Sequence, residues 1–199
     1  MDKTPTQARF DNLVSKNLWP DFKSKGYKKT GNNFRLHSAS GWGKIVNIQK
    51  SMYSEKHDIC FTVNVGLYLP EADTIFETPR GEKFLEPDCL VRKRIGHISG
   101  NHTDTWYDLT ESTPASELET TVQNDFLRFI FPYLEHIQSR DDIIKQIIRE
   151  HWPNEENTIR TLFICGYEDE ARQWIEVEIS TTIYRTWRER LVRLKNSLI

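Results

Sequence analysis

Cysteine is scarce in this chain of 199 residues, with three in all at Cys60, Cys89 and Cys165. An odd, widely spaced set excludes a disulfide framework and points to a reducing, cytoplasmic setting. Long apolar runs are missing too: none approaches the roughly 20 residues of a membrane span, so no membrane partner is expected. MDKTPTQARFDNLV carries no apolar region behind a basic start, and no signal peptide is expected from it. No phosphate-cradling glycine loop is present, because Gly41-Trp42-Gly43 lacks the third glycine, the helix and the lysine that such a loop needs. Metal-ligand spacing is missing as well. The best triple, Cys89, His97 and His102, matches no usual zinc pattern, and His37, His57, His136 and His151 are isolated. No metal, cofactor or catalytic residue is therefore assigned. A Cys60–His37 pair on one sheet face is the single nucleophile arrangement the pattern permits, and nothing local marks Cys60 as activated.

Charge of one sign is lacking overall, with 27 Lys/Arg against 29 Asp/Glu and a net charge of -2. It is unevenly spread: residues 1–70 carry 11 basic and 5 acidic side chains, residues 71–199 carry 16 and 24. The basic end concentrates in Lys23, Lys25, Lys28 and Lys29, beside Tyr27 and Phe34. Such a patch can bind nucleic acid, but the chain is far from the strongly basic balance of such binders. Lysines also favour a helix C-terminus through the dipole.

Aromatic residues supply what aliphatic length does not, at 12% of the chain. The most informative stretch is GKIVNIQKSMYSEKHDICFTVNVGLYLP, residues 43–70. In its second half Ile59, Phe61, Val63, Val65, Leu67 and Leu69 alternate with Cys60, Thr62, Asn64, Gly66 and Tyr68. Strict period two predicts a strand with one face in a core and one facing polar surroundings.

Around it the elements follow in order. Thr4-Pro5 opens a helix whose Phe10, Leu13, Val14, Leu18 and Phe22 form one stripe, with Pro20 set to kink it and Gly26 to end it. Residues 27–38 read as a first strand, in which Gly31-Asn32-Asn33 can turn or bulge, and 70–88 as a long loop. A fourth strand is expected at 89–98 and a fifth at 105–109. From Thr113-Pro114 a helix is predicted through Leu118, Val122, Phe126, Phe129, Ile130, Tyr133 and Ile137, bent at Pro132. Ser139 with Asp142 should cap a helix that Pro153 ends. A helical hairpin turning at Gly166 follows, and then one long terminal helix striped by Ile175, Ile179, Ile183, Trp187, Leu191, Leu194 and Leu198. The class is α+β: an N-terminal helix, an antiparallel sheet of four to five strands, then helices. Residues 1–138 are expected to form the α+β core domain, with 139–199 as a helical extension packed on it.

Several segments together, KGYKKTGNNFRLHS, GKIVNIQKSMYS, FTVNVGLYLP and CLVRKRIGHI with Trp106-Tyr107, resemble a bacterial family known only as a domain of unknown function. The resemblance covers about residues 5–138. It supports the fold and implies no catalytic residues. The small size and bacterial distribution of its members are similar to those of toxin-immunity and defence-associated proteins.

If the alternation holds, one face of the sheet gathers Asn47, Gln49, Asn64 and Tyr68, with Arg35 and His37 from the first strand and Arg92 and Arg94 from the fourth. Amides, guanidinium groups and a phenol suit a peptide or an anion. Three functions compete. A non-enzymatic protein-binding module, as an immunity or defence accessory, is favoured by the missing cofactor motifs. An enzyme acting on a phosphorylated or carboxylated small molecule would use Arg92, Arg94 and His37. A nucleic-acid binder would use the basic N-terminal segment and Arg35. A homodimer through the C-terminal helix is a further partner arrangement.

Overall fold

A computed structural model describes residues 3–73, 80–150 and 156–198. In chain order the elements are α1 (Pro5–Asn12), a π turn (Leu13–Leu18) and α2 (Trp19–Ser24), then β1 (Lys28–Thr30), β2 (Asn33–His37), β3 (Gly43–Lys50) and β4 (Asp58–Tyr68). There follow α3 (Pro70–Asp73), β5 (Val91–Arg94), α4 (Ile95–Ile98), β6 (Tyr107–Thr110) and α5 (Ala115–Asp125). A second π turn (Phe126–Ile130) leads to α6 (Phe131–Glu135), and α7 (Arg140–Glu150), α8 (Glu156–Ile164), α9 (Glu168–Thr181) and α10 (Arg185–Ser197) complete the chain. They divide into two compact units, 1–68 with 82–138, and 69–81 with 139–199.

In the first unit an antiparallel sheet runs in the order β1-β2-β3-β4-β5, and β6 pairs with the opening half of β4. The α+β class is as expected, but the sheet has six strands. The added one is β1: Thr30 pairs with Asn33 across Gly31-Asn32, and Gly31 takes φ +58°, which favours glycine in a two-residue hairpin. Strand β5 also stops early. Ile95–Ile98 coil into a helical turn, where Gly96 lets the chain at Thr103 approach so closely that a Cβ there would sit 1.7 Å from its carbonyl oxygen. The stretch 70–88 is less irregular than expected, with α3 and single 3-10 turns at Gly81–Lys83 and Glu86–Asp88. Its residues 74–79 lie outside the described ones.

One sheet face is apolar. Phe34, Val46, Ile48, Ile59, Phe61, Val63 and Val65 are all at most 2% exposed and pack with Phe10, Leu13, Val14, Leu18 and Phe22 of the first helix. Val122, Phe126, Ile130, Phe131 and Leu134 of the second helix complete that core. Burying a side chain of this kind is worth about 1.5–3 kcal/mol, so these two helices fix the sheet from one side.

The two helix prolines are absorbed in the same way. Ahead of Pro20, the Trp19 N–H reaches the Val14 carbonyl five residues back; ahead of Pro132, the Phe131 N–H reaches Phe126. Proline cannot donate and crowds the preceding turn, and a wider π turn relieves that crowding. The second π turn also rotates the apolar stripe. Phe131 and Leu134 enter the core where a period of 3.6 predicts Phe129 and Tyr133, which are half-buried.

In the second unit the Ser139 cap forms as expected: its Oγ accepts from the Asp142 N–H at 3.1 Å, and Asp142 Oδ2 accepts from the Ser139 N–H at 2.8 Å. The helix end expected at Pro153 lies outside the described residues. Gly166, at φ +86°, turns α8 into α9. The single long terminal helix is not observed. Thr182 is extended at ψ 131°, and Ile183 and Tyr184 stand 84% and 68% exposed between α9 and α10. Thr181, Thr182 and Ile183 are β-branched in succession, and each loses χ1 freedom in a helix. The stripe is thereby split into Ile175 on one helix and Leu191 and Leu194 on the next.

Candidate functional site

The opposite sheet face carries the polar side chains. Strand register sets Asn33, Asn47, Asn64 and Arg94 in one row across four strands, and Arg35, Ile45, Gly66 and Arg92 in the next. His37, Gly43 and Tyr68 form a third row, and Gln49 lies opposite Thr62. All eight side chains named from the sequence, Arg35, His37, Asn47, Gln49, Asn64, Tyr68, Arg92 and Arg94, thus fall on the same side of the sheet. They do not form one cluster.

At one end the face is closed by residues 84–89. Phe84 is fully buried and stacks on Tyr68 with ring centroids 4.3 Å apart and planes 4° from parallel. Gly43 permits this approach, since a Cβ there would meet the Phe84 ring at 2.5 Å. Cys89 closes over Gly66 in the same way, at 2.6 Å from a Cβ built there. The Arg35 Nε donates to the Phe84 carbonyl at 2.6 Å, and its guanidinium lies 5.4 Å from the centre of the ring. Tyr68 is therefore core, and His37 sits half-buried with its ring 6.3 Å from that of Phe84.

At the other end the amides hold one another. Asn64 Nδ2 donates to Gln49 Oε1 at 2.7 Å and, more weakly, to Asn47 Oδ1 at 3.4 Å; Asn47 Nδ2 donates to Asn33 Oδ1 at 2.8 Å. Asn64, 5% exposed, anchors this ladder, while Asn33 and Asn47 are half-buried and Gln49 is exposed. The Thr62 hydroxyl donates to the Thr105 carbonyl at 2.7 Å and pins the segment leading into Trp106.

Arg92 and Arg94 have their own carboxylates. Arg92 makes a two-point contact with Glu86 at 2.8 and 3.2 Å, and the hydrogen bond to that carboxylate raises the Arg92 pKa above its already high value. Arg94 is bonded to Asp104 and lies over the Trp106 ring at 5.4 Å. Arg35 and Arg92 stand three strand spacings apart, about 14 Å. Three arginines, each already engaged and set apart, do not converge on one small anion. The basic segment is similarly compensated: Lys25 bonds Glu135 at 2.7 Å, and Lys28 lies 3.6 Å from Glu82.

The Cys60–His37 pair is not assembled. Cys60 lies on β4 eight residues from Tyr68, the cross-strand row of His37, which is about 27 Å along a strand. Burial, followed by a hydrogen bond and the negative charge of Asp108, pushes the Cys60 thiol up to about 11. Burial pushes Cys165 up to about 11 as well, and Cys89 well above the ordinary value. Alkylation with iodoacetamide should therefore be slow at pH 8, with a thiolate fraction near ~0.1% for a pKa of 11, and should keep accelerating towards pH 11. A thiol whose rate plateaus below pH 9 in the folded chain would contradict this. Cys89 is buried beneath residue 85, and His97 and His102 are exposed. Among the described residues no three His, Cys, Asp or Glu side chains are grouped to hold a metal ion.

The sequence reading missed Asn33, Phe84, Glu86, Asp104 and Trp106. Asn33 had a signal, since Gly31-Asn32 is by itself a hairpin turn and makes Asn33 the first residue of a strand. The others sit outside strand periodicity. Lys44 was also missed, although a lysine in phase with Val46 and Ile48 is a visible anomaly. It is 5% exposed, and its ammonium donates to the carbonyls of Leu134, at 2.7 Å, and of Ile137.

Residues 18–136 match the model of a family described as a domain of unknown function (DUF4304). The match spans the whole sheet, α2 before it and the helix from Ala115 behind it, and the chain belongs to that family. Neither a curated protein nor a solved structure matches it. No helix among the described residues is long and apolar enough to cross a membrane.

Proposed function

We propose that this member of a family of unknown function is a non-enzymatic protein-binding module whose contact surface is the amide end of the polar sheet face. The observation that carries the reading is the ladder itself. Asn33, Asn47, Asn64 and Gln49 are held in fixed geometry by one another, while Gln49 and its neighbours Arg94 and Trp106 keep part of their surface in solvent. Polar residues of low strand propensity, fixed on a sheet, supply oriented donors and acceptors without the ordering cost of free side chains. The flanking arginines are neutralised by Glu86 and Asp104. The surface therefore favours a partner with little net charge and many hydrogen-bonding groups, which describes a protein surface better than a phosphorylated small molecule or a nucleic acid. An immunity or defence-accessory role is one form of this reading, and a toxin gene adjoining that of the chain would support it.

The test uses the full chain as bait in an extract of the cells that encode it, followed by binding of the purified partner to Asn47→Ala and Gln49→Ala variants. Each substitution removes one or two hydrogen bonds at about 1 kcal/mol apiece, so affinity should fall roughly 5- to 30-fold. A stoichiometric partner indifferent to both substitutions would move the contact elsewhere. The absence of any partner in repeated captures would end the reading.

A further inference from the structure

The loop that joins β3 to β4 is rigidly built yet presents its two large hydrophobic side chains to solvent. Met52 is 87% exposed and Tyr53 85%. Such exposure is ordinary in a floppy loop, but this one is tied at every turn. The Ser51 N–H donates to the Cys60 carbonyl at 2.7 Å, and Ser54 Oγ bonds both the carbonyl (2.9 Å) and the N–H (3.0 Å) of Cys60. The Tyr53 N–H donates to Ser51 Oγ at 3.2 Å, and the Glu55 N–H to the Asp58 carbonyl at 2.7 Å. From outside the hairpin, Thr4 Oγ1 donates to the Lys56 carbonyl at 2.5 Å, and His57 Nδ1 meets Glu111 Oε1 at 2.6 Å. Immobilising Met52 and Tyr53 against a partner would thus cost little further backbone entropy.

The loop also lies beside the amide ladder. Gln49, at the end of β3, is three residues before Met52, within about 10 Å along the chain. We propose that Met52 and Tyr53 are the apolar anchor of the protein-binding surface, inserted together into an apolar pocket of a folded partner protein while Gln49 and Asn47 make hydrogen bonds at its rim. This inference rests on the protein-binding reading above. Buried aromatic and methionine anchors ringed by polar contacts are the usual division of labour in such interfaces. Charge selects the class of occupant. The exposed side chains flanking the tip are Lys50 and Lys56 on one sign and Glu55 and Asp58 on the other. This local balance offers no attraction to an anionic lipid surface or to nucleic acid, and it complements a partner face that is itself uncharged.

The experiment places the photo-crosslinker p-benzoylphenylalanine at Tyr53, and separately at the exposed Lys16 on the first helix, in the full chain. Irradiation in an extract of the encoding cells should give a defined protein adduct from position 53 and none from position 16. With that protein purified, Met52→Ser/Tyr53→Ser should lower affinity at least 100-fold, and Met52→Leu/Tyr53→Phe should stay within about fivefold of the parent. Both side chains are exposed, so the melting temperature should be unchanged in each variant. If the serine pair binds within twofold of the parent while Asn47→Ala weakens binding, the anchor assignment is overturned and the protein-binding reading stands. If position 53 gives no adduct and a second crosslinker placed at the exposed Gln49 gives none either, both fall. Co-sedimentation of the parent, but not the serine pair, with phosphatidylcholine–phosphatidylglycerol vesicles would overturn the anchor in favour of a membrane contact.

Discussion

Phe84→Ala is expected to lower the stability of the sheet unit by about 4 kcal/mol and its melting temperature by roughly 10 °C. Phe84 is fully buried, and truncating a fully buried phenylalanine costs about 3–5 kcal/mol. Its face-on stack with Tyr68 contributes about 1 kcal/mol of this beyond area alone. Residues near it cannot collapse into the vacated space, because the backbone at Gly43 and Gly66 already defines the floor on which Phe84 and Cys89 rest. The consequence should reach beyond stability. Arg35 would lose the ring beneath its guanidinium, and the Cys89 thiol would become accessible to alkylation. Urea unfolding followed by far-ultraviolet circular dichroism measures the first effect, and mass spectrometry of alkylated Cys89 the second. A loss below 1 kcal/mol with Cys89 still protected would show that the closed end of the sheet does not depend on this ring.

Lys44→Met should cost about 3 kcal/mol although methionine fits the same space. The lysine stem is buried among apolar side chains, and the ammonium donates to two carbonyls at the end of the helix that closes with α6. A methionine keeps the stem contacts and leaves those carbonyls in a buried site without their cation. Orphaning a buried polar group costs about 1–3 kcal/mol, and the helix C-terminus loses a favourable charge as well. Replacing a whole buried ion pair with apolar residues can be neutral, but here the acceptors belong to the backbone and remain. Lys44→Arg should not rescue fully, because the planar guanidinium cannot occupy the position of a compact ammonium. Chemical denaturation of the three proteins decides the matter, and a methionine variant as stable as the parent would refute it.

Strand alternation made much of the sheet legible in advance. Ile59 to Tyr68 alternates without a break, and every side chain it assigned to the polar side is there in the register. The first helix was equally plain, since Phe10, Leu13, Val14, Leu18 and Phe22 are all buried. Periodicity was weakest where backbone geometry changes within an element. The π turn before Pro132 shifts the stripe by one residue, and no count at 3.6 per turn anticipates that. The break at Thr182 depends on a short β-branched run set against a longer apolar pattern that continues through it. The site was legible as a face and not as a set of contacts. Glu86, Asp104 and Phe84 lie in connecting segments, and their pairing with Arg92, Arg94 and Tyr68 follows from the paths of those segments.

Strand β4 has a property that bears on how the sheet assembles. Its β5 and β6 neighbours share one edge, end to end, and they come from very different distances along the chain. The pairs Lys50–Phe61 and Thr30–Asn33 are separated by 11 and 3 residues, whereas Asp58 and Thr110 are 52 apart. Closing a short hairpin loses far less chain entropy than closing the long loop that brings in β6. The meander β1-β2-β3-β4 is thus the part that can form early, with the outer half of β4 waiting for β6. During that interval the edge beside Ile59 and Phe61 is the unpaired one, open to pairing with another chain at high concentration.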